Sequence, residues 1–409
     1  MLLKRTEAWI TGIGLVSSLG EGVDAHWQEL GPHVAPTINV DDAGYAPYSI
    51  HPLATVDFSR QIPRISDQRQ MDRWQRIGVH AAGLALADAG IAGKPELLDR
   101  IDLSIAAGNG ERDLVLDARI LEAMEGHRDL DGTLNHLLAT GLRPTLYLGQ
   151  LSNLLAGNIS IVHKAAGSSR TFKGEEMAGV AALEDAVRRL GAGQSELMLV
   201  GGALNAERRD LLLNLELGAS LLHGGYRSVW ARREVGGGMV PGSIGVFLVL
   251  EVSGHAADRG AKPYARIAAV ASDRSARGPG EAAVAMRSLF EELAPVVDDD
   301  RPLAVLSGAS GVEPATSEEC QFLQELKDAL GPTRTYGSRL GHGIEAHFIT
   351  GVALAALALS KRSFYPPCDH TESAADTGSA CRQILVTSLG HDCGEALGLV
   401  EAVEERPRG

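Results

Sequence analysis

Residues 165–181, AAGSSRTFKGEEMAGVA, set the pattern for the chain: a short β-like run from Ser168 to Lys173 passes through Gly174 into a helix rich in small residues over 174–190. Ahead of this corner, EAWITGIGLVSSLG (7–20) reads as a buried strand running into a glycine-rich turn. DRWQRIGVHAAGLALADAG (72–90) has helical periodicity with Gly90 as its stop, and DLSIAAGNG (102–110) is a strand. About fifty residues of helical and loop character intervene before the corner, forming an insertion at about 111–164. After it, SELMLVGGALNA (195–206) and IGVFLVLEV (244–252) are apolar enough to be strands buried on both faces.

Past residue 253 the order begins again. ARIAAVASD (265–273) reads as a strand, GEAAVAMRSLFEEL (280–293) as a helix and LAVLSGAS (303–310) as a strand. SEECQFLQELKDAL (317–330) predicts an amphipathic helix with Ser317 at its N-cap and Gly331 as its stop. A short strand at 333–337, a small-residue helix at 346–361 and strands at 383–390 and 395–403 complete the series. The chain therefore divides into an N-terminal half, 1–253, and a C-terminal half, 254–409, each a mixed sheet flanked by helices. The helices 174–190 and 346–361 read as apolar nearly all round, so both are expected between the sheets with their N-termini in a shared cleft.

Composition narrows the function. A chain of 409 residues with 44% hydrophobic and 22% charged residues is that of a soluble α/β protein. The formal charge of −14, with no clustered Lys and Arg, argues against nucleic acid. No apolar run is long enough to enter a membrane and the start MLLKRTEAW carries charge too early for a signal segment, so a cytoplasmic location is expected. Cys320, Cys368, Cys381 and Cys393 have no zinc-like spacing and read as free thiols; no metal and no cofactor are expected. His347 lies five residues after His342 without a third ligand, and Asp298-Asp299-Asp300 reads as a solvated loop. Gly12 and Gly14 suggest a dinucleotide loop, but Ser17 stands where a third glycine belongs and no acidic ribose partner follows.

A strand feeding a helix N-terminus is a place for anionic chemistry, because unpaired N–H groups and the helix dipole stabilise negative charge there. This corner carries Glu175 and Glu176, neither of them an acyl-transfer nucleophile.

Four segments, TGIGLVSSLG, PTLYLGQLSNLLAGNISI, SELMLVGGA and GGGMVPGSIGVFLVLE, taken in order with the repeat, resemble the β-ketoacyl-acyl carrier protein synthases of the thiolase superfamily. The resemblance covers nearly the whole chain and implies a thiolase-like αβαβα layered fold. The family's active site uses a Cys at the helix start, two His and a Lys. Its T-A-C-x-x-G lies over Gly174 to Gly179, which puts Glu176 at the nucleophile position. The first His falls on Gly308 and the Lys on Gly337, while the second His is retained as His342. The family's C-terminal gate segment is SLGHDC here, with Leu389 at the gate and His391 and Cys393 beyond it.

Glu lacks the soft sulfur that holds a thioester, and each missing oxyanion donor costs about 3 kcal/mol of transition-state stabilisation. The resemblance therefore implies a non-condensing subunit similar to the chain-length factors, paired with a Cys-bearing ketosynthase in type II polyketide, aryl polyene or fatty-acid-like biosynthesis. Leu146, Gln150 and Asn153 would then sit at the dimer face and line the partner's acyl tunnel. Acyl carrier protein, itself acidic, would dock mainly through the partner. The alternative is a malonyl-carrier-protein decarboxylase that generates a primer. Glu176 with His342 is either an acid/base pair or a plug in an empty pocket. Arg232-Arg233 reads as an exposed turn or a phosphate contact.

Overall fold

The computed structural model describes residues 8–32, 37–125, 129–142, 146–275, 278–298, 303–372 and 381–403; Asp299, Asp300 and residues 143–145 of the insertion lie outside them. The first half supplies β1 (Ala8–Ser17), the two-residue β2 (Gly20–Glu21), β3 (Asp102–Ala106), β4 (Ser169–Phe172), β5 (Leu197–Leu204) and β6 (Ile244–Val252). The second supplies β7 (Ala265–Asp273), β8 (Leu303–Ser307), β9 (Leu330–Thr335), β10 (Gln383–Leu389) and β11 (Glu395–Glu401).

With β2 set aside, the strands of the two halves lie in the orders β4-β3-β5-β6-β1 and β9-β8-β10-β11-β7, the same permutation twice. Directions repeat as well: β3 is parallel to β4 and β5 as β8 is to β9 and β10. The other pairings within each half are antiparallel. The halves meet where Ala8–Ile10 of β1 pairs with Ala265–Ile267 of β7.

Strand alternation assigns the layers, since successive side chains point to opposite faces. Val246, Leu248 and Leu250 of β6 join Ile384 and Val386 of β10 in the central core around helices Glu176–Gly191 and His347–Ser360. Phe247 and Val249 face outward to pack with Trp74, Ile77 and Ala81 of helix Arg73–Asp88. On the opposite side, Leu385 and Leu397 pack with Met286, Leu289 and Phe322 of helices Glu281–Leu293 and Ala315–Glu325. The result is the five-layered αβαβα arrangement. Thirteen of the fourteen residues of His347–Ser360 are buried, so this helix has no polar face and is covered on every side.

Local expectations fail where one residue type serves two purposes. Gly12 and Gly14 form no turn but lie inside β1, where a Cβ on Gly14 would stand 1.9 Å from the Ala81 carbonyl oxygen and one on Gly12 2.5 Å from that of Ala85. They are glycine so that the helix can approach the strand. The helix expected at 317–330 instead spans Ala315–Glu325, with Ser317 inside it and Gly331 within β9. Helix Glu176–Gly191 is apolar on one side only: its later turns carry Glu184, Asp185 and Arg189, which bond Ser272, Arg170 and Asp102 of neighbouring elements. Arg232 is not in an exposed turn. Only 1% of it is exposed, and its guanidinium donates to the carbonyls of Arg227, Gly238 and Ser310.

The insertion folds as helices Leu114–Met124, Leu130–Gly141, Leu146–Gln150 and Leu154–His163. It leaves Tyr147, Leu148, Leu151 and Ile161 exposed. Among the described residues no helix is long and apolar enough to cross a membrane.

Candidate functional site

Helix Glu176–Gly191 begins after Gly174 (φ 134°) and Glu175 (φ 53°, ψ −132°). Glu175 is a non-glycine residue held on the positive-φ side, a conformation that costs energy and turns the chain sharply into the helix. The turn drives the Glu176 side chain inward until only 2% of the residue is exposed.

Donors converge on one carboxylate oxygen. His391, in the loop after β10, places Nδ1 at 2.7 Å and its backbone N–H at 3.3 Å from Glu176 Oε1. His342 Nε2 lies 3.6 Å from the same atom. The Nδ1 of His342 accepts the Ile344 N–H at 3.3 Å, which puts its own proton on Nε2, toward Glu176. Burial disfavours charge on all three groups, but the outcomes differ. For His391 the adjacent Glu176 carboxylate outweighs desolvation and lifts its pKa to about 9. For Glu176 the two imidazoles likewise overcome burial and hold the carboxyl below the usual range. His342 is left neutral by desolvation and by His347 beside it. The corner therefore holds a buried carboxylate–imidazolium pair, with a neutral histidine 3.6 Å from the carboxylate, beyond hydrogen-bond reach.

His347 is stacked on His342, with ring centroids 3.9 Å apart, and on Tyr336 at 4.4 Å. Its Nδ1 accepts from the Gly343 N–H, so the ring is a structural element of the helix start. Gly308 follows β8, and a Cβ there would lie 2.4 Å from the Thr387 carbonyl oxygen and 2.8 Å from Tyr336 Oη, leaving no room for a side chain. At Gly337 a Cβ would find ordinary contacts, 3.4 Å from Val229 and 3.6 Å from His347.

Of the positions singled out in the sequence, Glu176 and His342 meet, and Gly337 lies beside His347. Leu389 is buried in the outer core of the second half; His391, two residues on, is the side chain that reaches Glu176. Leu146, Gln150 and Asn153 lie on the insertion, with Gln150 and Asn153 exposed. Gln150 Nε2 donates to the Glu111 carbonyl oxygen at 2.5 Å, and Ser152 donates to the Gly108 carbonyl oxygen at 2.7 Å. The first bond closes the insertion on its own start, and the second ties it to the segment just after β3.

Glu345 was not foreseen. It is wedged against helix Glu176–Gly191 and the end of β3: a Cβ on Gly179 would be 2.4 Å from its carbonyl oxygen, and one on Gly108 2.1 Å from its carboxylate. Burial pushes its pKa up to about 7. A carboxyl in the turn directly before a helix expected to be apolar is the available signal. With Trp74, Asn109, Glu175, Arg208 and His391 it lines a cavity of about 190 Å³ next to the Glu176 corner.

Residues 6–255 match the family model described as beta-ketoacyl synthase, N-terminal domain. The 3-oxoacyl-[acyl-carrier-protein] synthase 2 of Rhizobium meliloti (strain 1021) is 30% identical over 276 residues, 63% of this chain; the chain spans 62% of that relative's length. The tetracenomycin polyketide synthase ketoacyl synthase beta subunit of Streptomyces glaucescens is 28% identical over 350 residues, 78% of this chain and 76% of that one. Among solved structures, the ishigamide ketosynthase/chain length factor superposes with a TM-score of 0.78 at 20% identity, covering 98% of this chain and all of the other. At that identity the likeness is one of fold.

Proposed function

The chain belongs to the β-ketoacyl synthase family, and from that premise we propose that it is a non-condensing, chain-length-factor-like subunit that pairs with a Cys-bearing ketosynthase and shapes its acyl tunnel. We divide it accordingly into halves at 1–253 and 254–409, with the dimer-forming insertion at 111–164. One observation carries the reading: Glu176, which the resemblance puts at the nucleophile position, is a buried carboxylate already paired with His391. An acyl-transfer pocket is built to receive a transient oxyanion. Here Glu176 supplies a permanent one. The similarity to a polyketide synthase beta subunit supports the same role, in type II polyketide biosynthesis, with aryl polyene systems as a narrower setting.

The insertion presents the surface such pairing needs. Tyr147, Leu148, Leu151 and Ile161 are exposed apolar side chains close in sequence, flanking Gln150 and Asn153, the proposed tunnel residues. Decarboxylation of a malonyl group is the weaker reading. A malonyl carboxylate would meet Glu175, Glu176 and Asp392, three carboxylates around one imidazolium, so the corner as a whole repels it.

The test is co-expression with a Cys-bearing ketosynthase encoded in the same gene neighbourhood. A one-to-one complex is expected, and a Leu148→Asp, Ile161→Asp variant should lose it while keeping the wild-type Tm. Absence of a stable complex overturns the subunit reading. Carbon dioxide release from malonyl-carrier protein above a His342→Ala control would establish the decarboxylase instead.

A further inference from the structure

The corner at Glu176 has an outer side. His391 uses Nδ1 on Glu176 and turns Nε2 the other way, toward Glu175 Oε2 at 3.7 Å and Asp392 Oδ2 at 3.9 Å. One ligand atom from each of Glu175, His391 and Asp392 lies within 4.8 Å of the other two, a spacing that admits a single ion. The His391 side chain is 4% exposed, against 47% for Glu175 and 72% for Asp392, so the nitrogen is fixed and the carboxylates are free to close on it.

We propose that Glu175, His391 and Asp392 form a divalent-cation site, of the zinc class by its donors, on the wall of the cavity beside the vestigial nucleophile position, the ion taking the place of the His391 Nε2 proton, which is released on binding. A histidine that donates one ring N–H to a carboxylate and offers its other nitrogen outward is the usual arrangement of a metal-bound imidazole, in which the carboxylate fixes tautomer and ring orientation. Glu176 occupies that supporting place. Nitrogen and carboxylate oxygens without thiolates suit zinc or a neighbouring first-row ion.

An independent feature points the same way. Glu345 lines the same cavity, is 7% exposed, and its Oε2 has no hydrogen-bond partner among the described residues. A buried carboxyl oxygen left without a donor is costly, and a cation at the rim offsets that cost. The cluster as a whole gathers Glu175, Glu176 and Asp392 around one histidine, an excess of negative charge that a divalent ion neutralises. The four-cysteine spacing carries no trace of this site because the fold alone brings Glu175 to the adjacent pair His391 and Asp392.

The full-length chain, stripped with EDTA and dialysed, is titrated with Zn²⁺ by calorimetry and with Co²⁺ by visible absorption. One equivalent should bind, weakened about tenfold or more in a Glu175→Gln, Asp392→Asn variant. The two carboxylates are exposed, so that variant keeps its fold, checked by an unchanged Tm in EDTA. Glu176→Gln should weaken binding by about 10–100-fold, the effect of removing a supporting carboxylate. Cys393→Ser should bind as the wild type does. Equal Zn²⁺ affinity in the wild type and the double variant, or loss of binding in Cys393→Ser, overturns the site.

Discussion

Separating Glu176 from His391 should destabilise the protein unequally depending on which partner is removed. Two unit charges 2.7 Å apart attract by about 6 kcal/mol at an effective dielectric of 20, an attraction partly cancelled by the cost of burying both. Taking one partner away leaves the other charge behind, and such losses run to about 3–5 kcal/mol. The surroundings break the symmetry. In Glu176→Gln the imidazole keeps Glu175 and Asp392 within 4.0 Å and can shed its proton, so a loss of about 2 kcal/mol is expected. In His391→Gln the carboxylate keeps only His342, at 3.6 Å, and the backbone, so the loss should be about 4 kcal/mol. The double variant should lie near 3 kcal/mol, a coupling of about 3 kcal/mol. Urea unfolding of the four proteins in EDTA, followed by circular dichroism, measures this wherever the slopes agree. A coupling under about 1 kcal/mol, or a Glu176→Gln loss exceeding that of His391→Gln, would refute the reasoning.

Glu251, fully buried, bonds Arg259, His255 and Thr11; burial opposes its charge, but these partners depress its carboxyl pKa. Its contribution is therefore present above the unfolded carboxyl value of about 4.3 and lost as pH falls through the lower folded value, so Glu251→Gln should flatten the acid end of the Tm-against-pH curve. Gly179→Ala places a Cβ 2.4 Å from the Glu345 carbonyl oxygen, and the forced shift should cost about 1–3 kcal/mol; an unchanged Tm would show that the contact between helix starts is loose.

What the chain discloses locally, it discloses well. The strands at 244–252 and 265–273 appear with the expected bounds because a run buried on both faces has no competing reading as a helix of that length. The repeat was legible for the same reason, as two series of such runs. Glycine and arginine misled, since their local roles are ambiguous. Gly14 is a site of helix approach and Arg232 a buried carbonyl binder, and both read locally as turns. Glu176 could be placed by its context, whereas the partner that satisfies it lies 215 residues away in a loop with no periodicity.

A Glu at a helix N-terminus is favoured by the dipole, yet at 2% exposure the dipole alone does not compensate for desolvation. The carboxylate needed a counter-charge, and His391 provides it from the opposite half, at a distance that only the assembled fold creates. Glu176 and His391 thus form a clasp between the strand–helix corner of one half and the loop after β10 of the other. Glu176→Cys would remove the clasp and leave Gly308 as it is, where the Thr387 carbonyl and Tyr336 leave no space for a side chain.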